Sequence, residues 1–283
     1  LALFFVSLFT QIHMKPLPII FITGASSGIG KSIGIYLTEK GCKVYGTARN
    51  PAQYKDFNHF PLLALDVSKP DTIQTAVNEV LALSGRIDVL INNAGVGITG
   101  PLEETPYDAI DHCYNTNFKG PMRVIEAVLP TMRKQHSGLI VNITSIAGAM
   151  GLPYRGIYSA SKASLSIITE TYRMELKPFG VHCCTLAPGD FATNIAAGRY
   201  HVAPEKTSPY HPLYQQNLDQ MNAHVSAGSD PIAVAKSVYK IMNAKHPKVH
   251  YVVGSPLQKF SLVLKKVLPS KVFEKMLSKH YNL

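Results

Sequence analysis

IIFITGASSGIGKSIGIYLTEKG, residues 19–41, is the stretch whose reading decides the fold. IIFIT (19–23) is a short β-rich apolar run, TGASSGIG (23–30) is a glycine turn, and an amphipathic segment runs from about Ile29 to Lys40 before stopping at Gly41. A strand that passes through a glycine turn into a helix is the first half of a βαβ unit. Gly24, Gly28 and Gly30 let the backbone come close to a bound group, and the helix opens with its positive end at the same place. This is how a pyrophosphate is held, with Ser26, Ser27 and Ile29 offering further contacts. A glycine loop alone is weak support, and the TGxxxGxG spacing differs from the general GxGxxG dinucleotide fingerprint.

The same alternation continues outward from this stretch. KVYGTA (43–48) reads as a second strand and PLLALDV (61–67) as a third; Ser68 and Pro70 open a helix that ends at Gly85. DVLINNAG (88–95) is a fourth strand running into a turn, a long helix is expected over 107–135, and GLIVNIT (138–144) is a fifth strand. A helix carrying Tyr158 and Lys162 ends near Gly180, VHCCTLAPG (181–189) is a sixth strand broken by Pro188, and Asp230–Pro231 caps a helix leading to VHYVVG (249–254). The pattern predicts an α/β fold, a doubly wound parallel sheet of about seven strands with helices on both faces and a ligand crevice at the carboxyl ends of its strands. Residues 198–228 break the alternation with Pro204, Pro209, Pro212 and several tyrosines; they are expected to form an irregular cover over the substrate.

With 283 residues, 46% hydrophobic and 16% charged, the chain has enough apolar material for one large core. No repeat or linker divides it, so residues 14–254 are expected to form a single domain followed by a tail at 255–283. The net charge of +10 is concentrated late, since residues 231–283 hold ten lysines and one acid, Glu274. Those lysines alternate with apolar residues at helical spacing, as on a solvated face, and no nucleic-acid-binding motif accompanies them. Cys42, Cys113, Cys183 and Cys184 have no metal-ligand spacing and read as reduced core thiols; no metal is expected, and a cytoplasmic location is. LALFFVSLF (1–9) is about half the length needed to span a bilayer. With Met14 just ahead of the first strand, residues 1–13 read as a start-site artefact, with export as the alternative.

Three further segments carry chemistry: NNAG at 92–95, Ser145 thirteen residues before Tyr158, and YSASK at 158–162. A free tyrosine ionises near pH 10, so an acid–base tyrosine needs help from its surroundings, and a lysine four residues on lies on the same helix face. Together with TGASSGIG and with PG at 188–189, these segments resemble the short-chain dehydrogenase/reductase family, in order and spacing, over residues 18–254. The resemblance is to the shorter-chain branch, and within it to the subgroup named after 17β-hydroxysteroid dehydrogenases, which includes many bacterial proteins. It implies a Rossmann fold and a nicotinamide cofactor.

By the same resemblance, Tyr158 exchanges the proton and Lys162 both lowers its pKa and binds the nicotinamide ribose. Ser145 orients the substrate oxygen, and Asn117, in NTNFKG, holds a water against the lysine. Asp66 and Val67 are implied at the adenine, Asn93, Ala94 and Gly95 along the cofactor, and Pro188, Gly189 and Thr193 near the carboxamide. At the end of the second strand, where an NAD enzyme offers an acid to the ribose, this chain has Ala48 and Arg49, so NADP(H) is expected, with Ser26 as a helper, although Ser27 stands where some NADP relatives carry a basic residue.

ITGPLEE (98–104), GAMGLPYRG (148–156) and residues 198–228 are expected to line the substrate mouth, and their Leu, Met, Tyr and Pro content suits an apolar or amphipathic carbonyl or alcohol. Carbonyl reduction is the expected direction; a non-catalytic sensor of the NADP(H) ratio is the alternative. Relatives in the family are often dimers or tetramers, so a homodimer or homotetramer is expected. In the tail, Val272, Phe273, Met276 and Leu277 form an apolar stripe beside Lys271, Lys275 and Lys279. Packing of this stripe on the protein or a second subunit is expected, and contact with an anionic membrane is the alternative.

Overall fold

The structure is a computed structural model that describes residues 17–191, 198–203, 205–226 and 228–283. The N-terminal extension at 1–13 and Thr193 lie outside the described residues. The first half of the chain gives β1 (Ile19–Ile22), α1 (Gly28–Glu39), β2 (Lys43–Ala48), β3 (Leu62–Ala64), α2 (Pro70–Ser84), β4 (Val89–Asn92), the short β5 (Ile98–Thr99), α3 (Tyr107–Tyr114) and α4 (Gly120–Gln135). The second half gives β6 (Gly138–Ile143), α5 (Gly156–Glu175), β7 (Val181–Pro188), β8 (Tyr200–His201), α6 (Leu213–Ser226), α7 (Ile232–Met242), β9 (His250–Val253), α8 (Pro256–Val267) and α9 (Ser270–His280).

Seven strands pair in the order β3-β2-β1-β4-β6-β7-β9, all parallel. Ile19–Ile22 and Val89–Asn92 are buried at every position, as parallel strands covered on both faces must be. On one face Ile20, Ile22 and Val141 pack with Ile33 and Leu37 of α1 and Val234 and Val238 of α7. On the other, Phe21, Leu90 and Ile140 pack with Val77 and Val80 of α2 and Val124 and Val128 of α4. Each such side chain contributes about 1.5–3 kcal/mol on burial. The winding reverses between β1 and β4, so the chain leaves their carboxyl ends in opposite directions and opens a crevice there.

Most boundaries agree with the sequence reading to within a residue or two. Gly85 closes α2 in the left-handed region (φ 69°), and the Asp230 carboxylate accepts a 2.8 Å hydrogen bond from the Ile232 N–H at the start of α7.

Three expectations need correction. The helix expected over 107–135 is interrupted by a π-turn at Asn115–Lys119; Pro121 has no N–H to give the carbonyl four residues before it, that of Asn117. Pro188 does not break the sixth strand but ends it, in register with Val253 of β9. Finally, the 198–228 region contains regular structure: β8 pairs with β5 in a second, two-stranded parallel sheet, and α6 follows. Tyr214, Leu218 and Met221, at helical spacing, form a separate small core with Tyr154, Val202 and Tyr210. That buried stripe makes the segment a helix despite its prolines.

Candidate active site

The glycine turn is shaped by contact with the strand beside it. Gly24 adopts φ +65°, and a Cβ on it would stand 3.0 Å from the Ala94 Cα; a Cβ on Gly30 would stand 2.4 Å from both Asn93 Nδ2 and the Gly24 carbonyl oxygen. Asn93 fixes this approach by donating through Nδ2 to the carbonyls of Thr23 (3.0 Å) and Gly24 (2.8 Å). The Thr23 hydroxyl accepts from the N–H groups of Asn93 and Ala94 at 3.0 and 3.1 Å. Asn93 is therefore committed to joining NNAG to the glycine loop. No side chain caps α1 at Ser27, so the backbone donors of its first turn are directed at the crevice.

A crevice of about 510 Å³ runs across the switch point, lined by Gly24, Ser26, Ser27, Gly28, Ile29, Arg49, Asp66, Val67, Asn93, Ala94, Gly95, Ser145, Tyr158, Lys162, Pro188 and Gly189. Gly30 lies beneath its floor and Asn117 behind its wall, both buried. At one end the exposed Arg49 stands near Asp66. Burial pushes the Asp66 carboxyl up, but the side-chain and backbone hydrogen bonds from Ser68 and the charges of Lys69 and Arg49 outweigh it and hold the group below its usual value. Backbone N–H groups at a helix start, a guanidinium and a buried ammonium together form a donor set that suits a phosphorylated dinucleotide.

At the other end are Ser145, Tyr158 and Lys162. Ser145 follows β6, where its hydroxyl accepts from the Ala147 N–H at 3.2 Å and hydrogen-bonds with Tyr158. Lys162 is buried and donates to the Ile143 carbonyl at 3.0 Å. A Cβ on Gly95 would stand 3.3 Å from Lys162 Nζ and 3.2 Å from Asn117 Oδ1, so both reach the same point on the crevice wall. The Asn117 amide is fully engaged: Oδ1 accepts from the Val96 N–H (2.8 Å), and Nδ2 donates to the Val96 carbonyl (2.9 Å) and the Ser161 hydroxyl (3.2 Å).

The Tyr158 phenol is expected below its usual value; burial instead pushes it above, against the opposing pull of Arg155, the Ser145 hydrogen bond and Arg199. Burial likewise lowers the Lys162 ammonium to about 8, with Cys113 pulling the other way. Arg155, with its guanidinium 5.5 Å from the centre of the Tyr158 ring, and Arg199 both line the crevice. Sequence reasoning did not single out either arginine. Arg155 lies within GAMGLPYRG, three residues before the tyrosine, but Arg199 had no local signal because β8 brings it in from the cover. Ile98 and Thr99 also line the crevice, and all four cysteines are free and buried. Among the described residues no group of His, Cys, Asp and Glu is arranged to hold a metal ion.

The family model described as "short chain dehydrogenase" matches residues 18–202. A 3-ketodihydrosphingosine reductase of Bacteroides thetaiotaomicron is 36% identical over 271 residues, covering 95% of this chain and 100% of the relative. The 17-beta-hydroxysteroid dehydrogenase type 1 of Homo sapiens is 30% identical, with 82% of this chain and 76% of the relative covered. Among solved structures, a short chain dehydrogenase/reductase from Burkholderia phymatum in complex with NAD superposes with a TM-score of 0.77 at 25% identity, covering 88% of this chain and 92% of that one.

Proposed function

The chain belongs to the short-chain dehydrogenase family, and from that premise we propose that it is an NADPH-dependent reductase of a ketone on an apolar or amphipathic molecule. The observation that carries the reading is the meeting of Ser145, Tyr158 and Lys162 at one end of a crevice that has Arg49 at the other. A bound nicotinamide would supply the hydride. Ser145 then orients the carbonyl oxygen, and Tyr158 gives it a proton as charge develops. Burial keeps the phenol protonated, the form that reduction uses. Lys162 holds the ribose, and the Asn117 carbonyl, deprived of its usual donor by Pro121, is the group that would hold a water beside it. Thr193 retains its proposed place near the carboxamide. The assembled tyrosine and lysine give a non-catalytic sensor no support.

Preference for NADP(H) rests on Arg49 and on the absence of an acid at Ala48–Arg49. Arg49→Ala should lower kcat/KM for NADPH about tenfold or more and leave that for NADH little changed; an unchanged NADPH preference would refute the assignment. For the substrate, 3-ketodihydrosphingosine, the compound named in the Bacteroides relative, is the first ketone to test, with steroid and acyl ketones beside it. We place the enzyme in the cytoplasm, a compartment that suits four buried free thiols. We also infer a homodimer or homotetramer, because Ile167 and Met174 of α5 are 66% and 69% exposed.

A further inference from the structure

The two C-terminal helices are tied to the rim of the crevice yet keep apolar side chains in solvent. Gln258 of α8 donates to the Asp190 carboxylate at 2.8 Å, and Asn217 of α6 donates to the Tyr281 carbonyl just past α9 at 3.0 Å. The stripe expected on α9 is split: Phe273 is buried, whereas Val272 and Met276 are 47% and 45% exposed. On α8, Leu257, Phe260, Val263 and Val267 are 77%, 54%, 52% and 73% exposed. At 3.6 residues per turn these four fall on one side of α8, bordered by the exposed Lys259 and Lys266. Lys271, Lys275 and Lys279 form an exposed ridge beside Val272 and Met276. Residues 256–283 hold six lysines against one acid, Glu274.

We propose that α8 and α9 form a docking face for an anionic lipid surface. Apolar side chains flanked by lysines match an interface in which acyl chains take the former and acidic head groups the latter. A second copy of the chain is a poorer partner, because a two-fold interface would set each lysine ridge against its own copy with one glutamate per chain to compensate. No described helix is long and apolar enough to cross a membrane, and the contact proposed is a peripheral one. Gln258 bonds to Asp190 and the Tyr281 side chain to Arg155, both in the crevice lining, so the face adjoins the crevice mouth, where a lipid-dissolved substrate would arrive. Docking goes beyond the catalytic reading and is measured without it.

The test is co-sedimentation of the purified chain with vesicles of phosphatidylcholine alone and of phosphatidylcholine mixed with phosphatidylglycerol. Binding should require the anionic lipid and weaken at high salt. It should fall about fivefold for each of Lys259, Lys266 and Lys275 changed to Gln, and at least as steeply in Phe260→Glu/Val267→Glu, with melting temperatures unchanged. Absence of binding to anionic vesicles, or equal binding to both kinds, overturns the proposal; both arms use the unaltered chain, so neither depends on a variant folding. Sedimentation equilibrium showing a dimer that Phe260→Glu dissociates would assign the face to a second copy and overturn it equally.

Discussion

The cofactor side of the crevice and its substrate side are built differently. The first hangs on the ends of β1, β2, β4 and β6, strands buried in the sheet, and its glycine turn is tied to NNAG by four hydrogen bonds, three donated by Asn93 and one by Ala94. The second rests on β8 and α6, whose own core is Tyr214, Leu218 and Met221 with three partly buried partners, and which the sheet's two main cores do not include. A site carried by sheet strands opens only when the protein unfolds, whereas one carried by a satellite core can open by itself. Cofactor geometry should therefore be rigid and substrate geometry adjustable.

Removing the phenol hydroxyl, where the two sides meet, has the largest expected effect. Tyr158→Phe leaves the ring in its packing with Ile98, Cys113 and Ala147 but removes the proton donor. We expect kcat to fall by about 10²–10⁴, with NADPH affinity, read by nicotinamide fluorescence, unchanged. Loss of both together would mean that the tyrosine also helps hold the crevice in shape, and the contrast between the two sides would weaken.

Lys162 gives a smaller effect with a definite sign. Folded, it loses its proton near pH 8, whereas the unfolded chain keeps it to about pH 10.4. Between those values the unfolded state binds more protons, so the lysine's contribution to stability rises with pH through that window and is flat below it. Relative to Lys162→Met, unfolded in urea without cofactor at a series of pH values, the chain that keeps Lys162 should gain up to about 3 kcal/mol across the window. Taking the difference cancels Cys42, Cys183 and Cys184, whose thiols titrate in this range in the unfolded chain, and Cys113, coupled to Lys162, is changed to Ala in both forms. A constant difference would show that the ammonium keeps its charge when folded.

The same division explains what the sequence disclosed. The seven strands, their parallel arrangement and most of the crevice lining could be read because buried parallel strands, glycine turns and a tyrosine–lysine pair at helical spacing are all local signals. What escaped depended on contacts between distant segments. The β5–β8 pairing joins Ile98 to Tyr200, Arg199 enters the crevice only through it, and α6 was hidden because Pro209 and Pro212 outweighed the Tyr214, Leu218, Met221 stripe in a local reading. The rise in the Tyr158 pKa was equally out of reach, since burial by distant segments causes it, against two arginines of which one comes from the cover. The same holds for the π-turn at Asn115–Lys119, although Pro121 gave a local hint of it.

The smallest predicted effect tests the adjustable side directly. The Tyr214 hydroxyl donates to the carbonyls of Thr99, at 3.2 Å, and Val202, at 3.0 Å, which puts it between the ends of β5 and β8. Tyr214→Phe preserves the ring in the satellite core and removes this link, at a cost of about 1 kcal/mol. If the cover opens independently, that cost falls on the cover alone. KM for the ketone should rise about fivefold and amide exchange in residues 198–226 should quicken by a similar factor, with kcat, NADPH affinity and the exchange of β1 and β4 unchanged. If β1 and β4 exchange quickened by the same factor, the hydroxyl would be supporting the whole fold, and the two sides of the crevice would have to be treated as one cooperative unit.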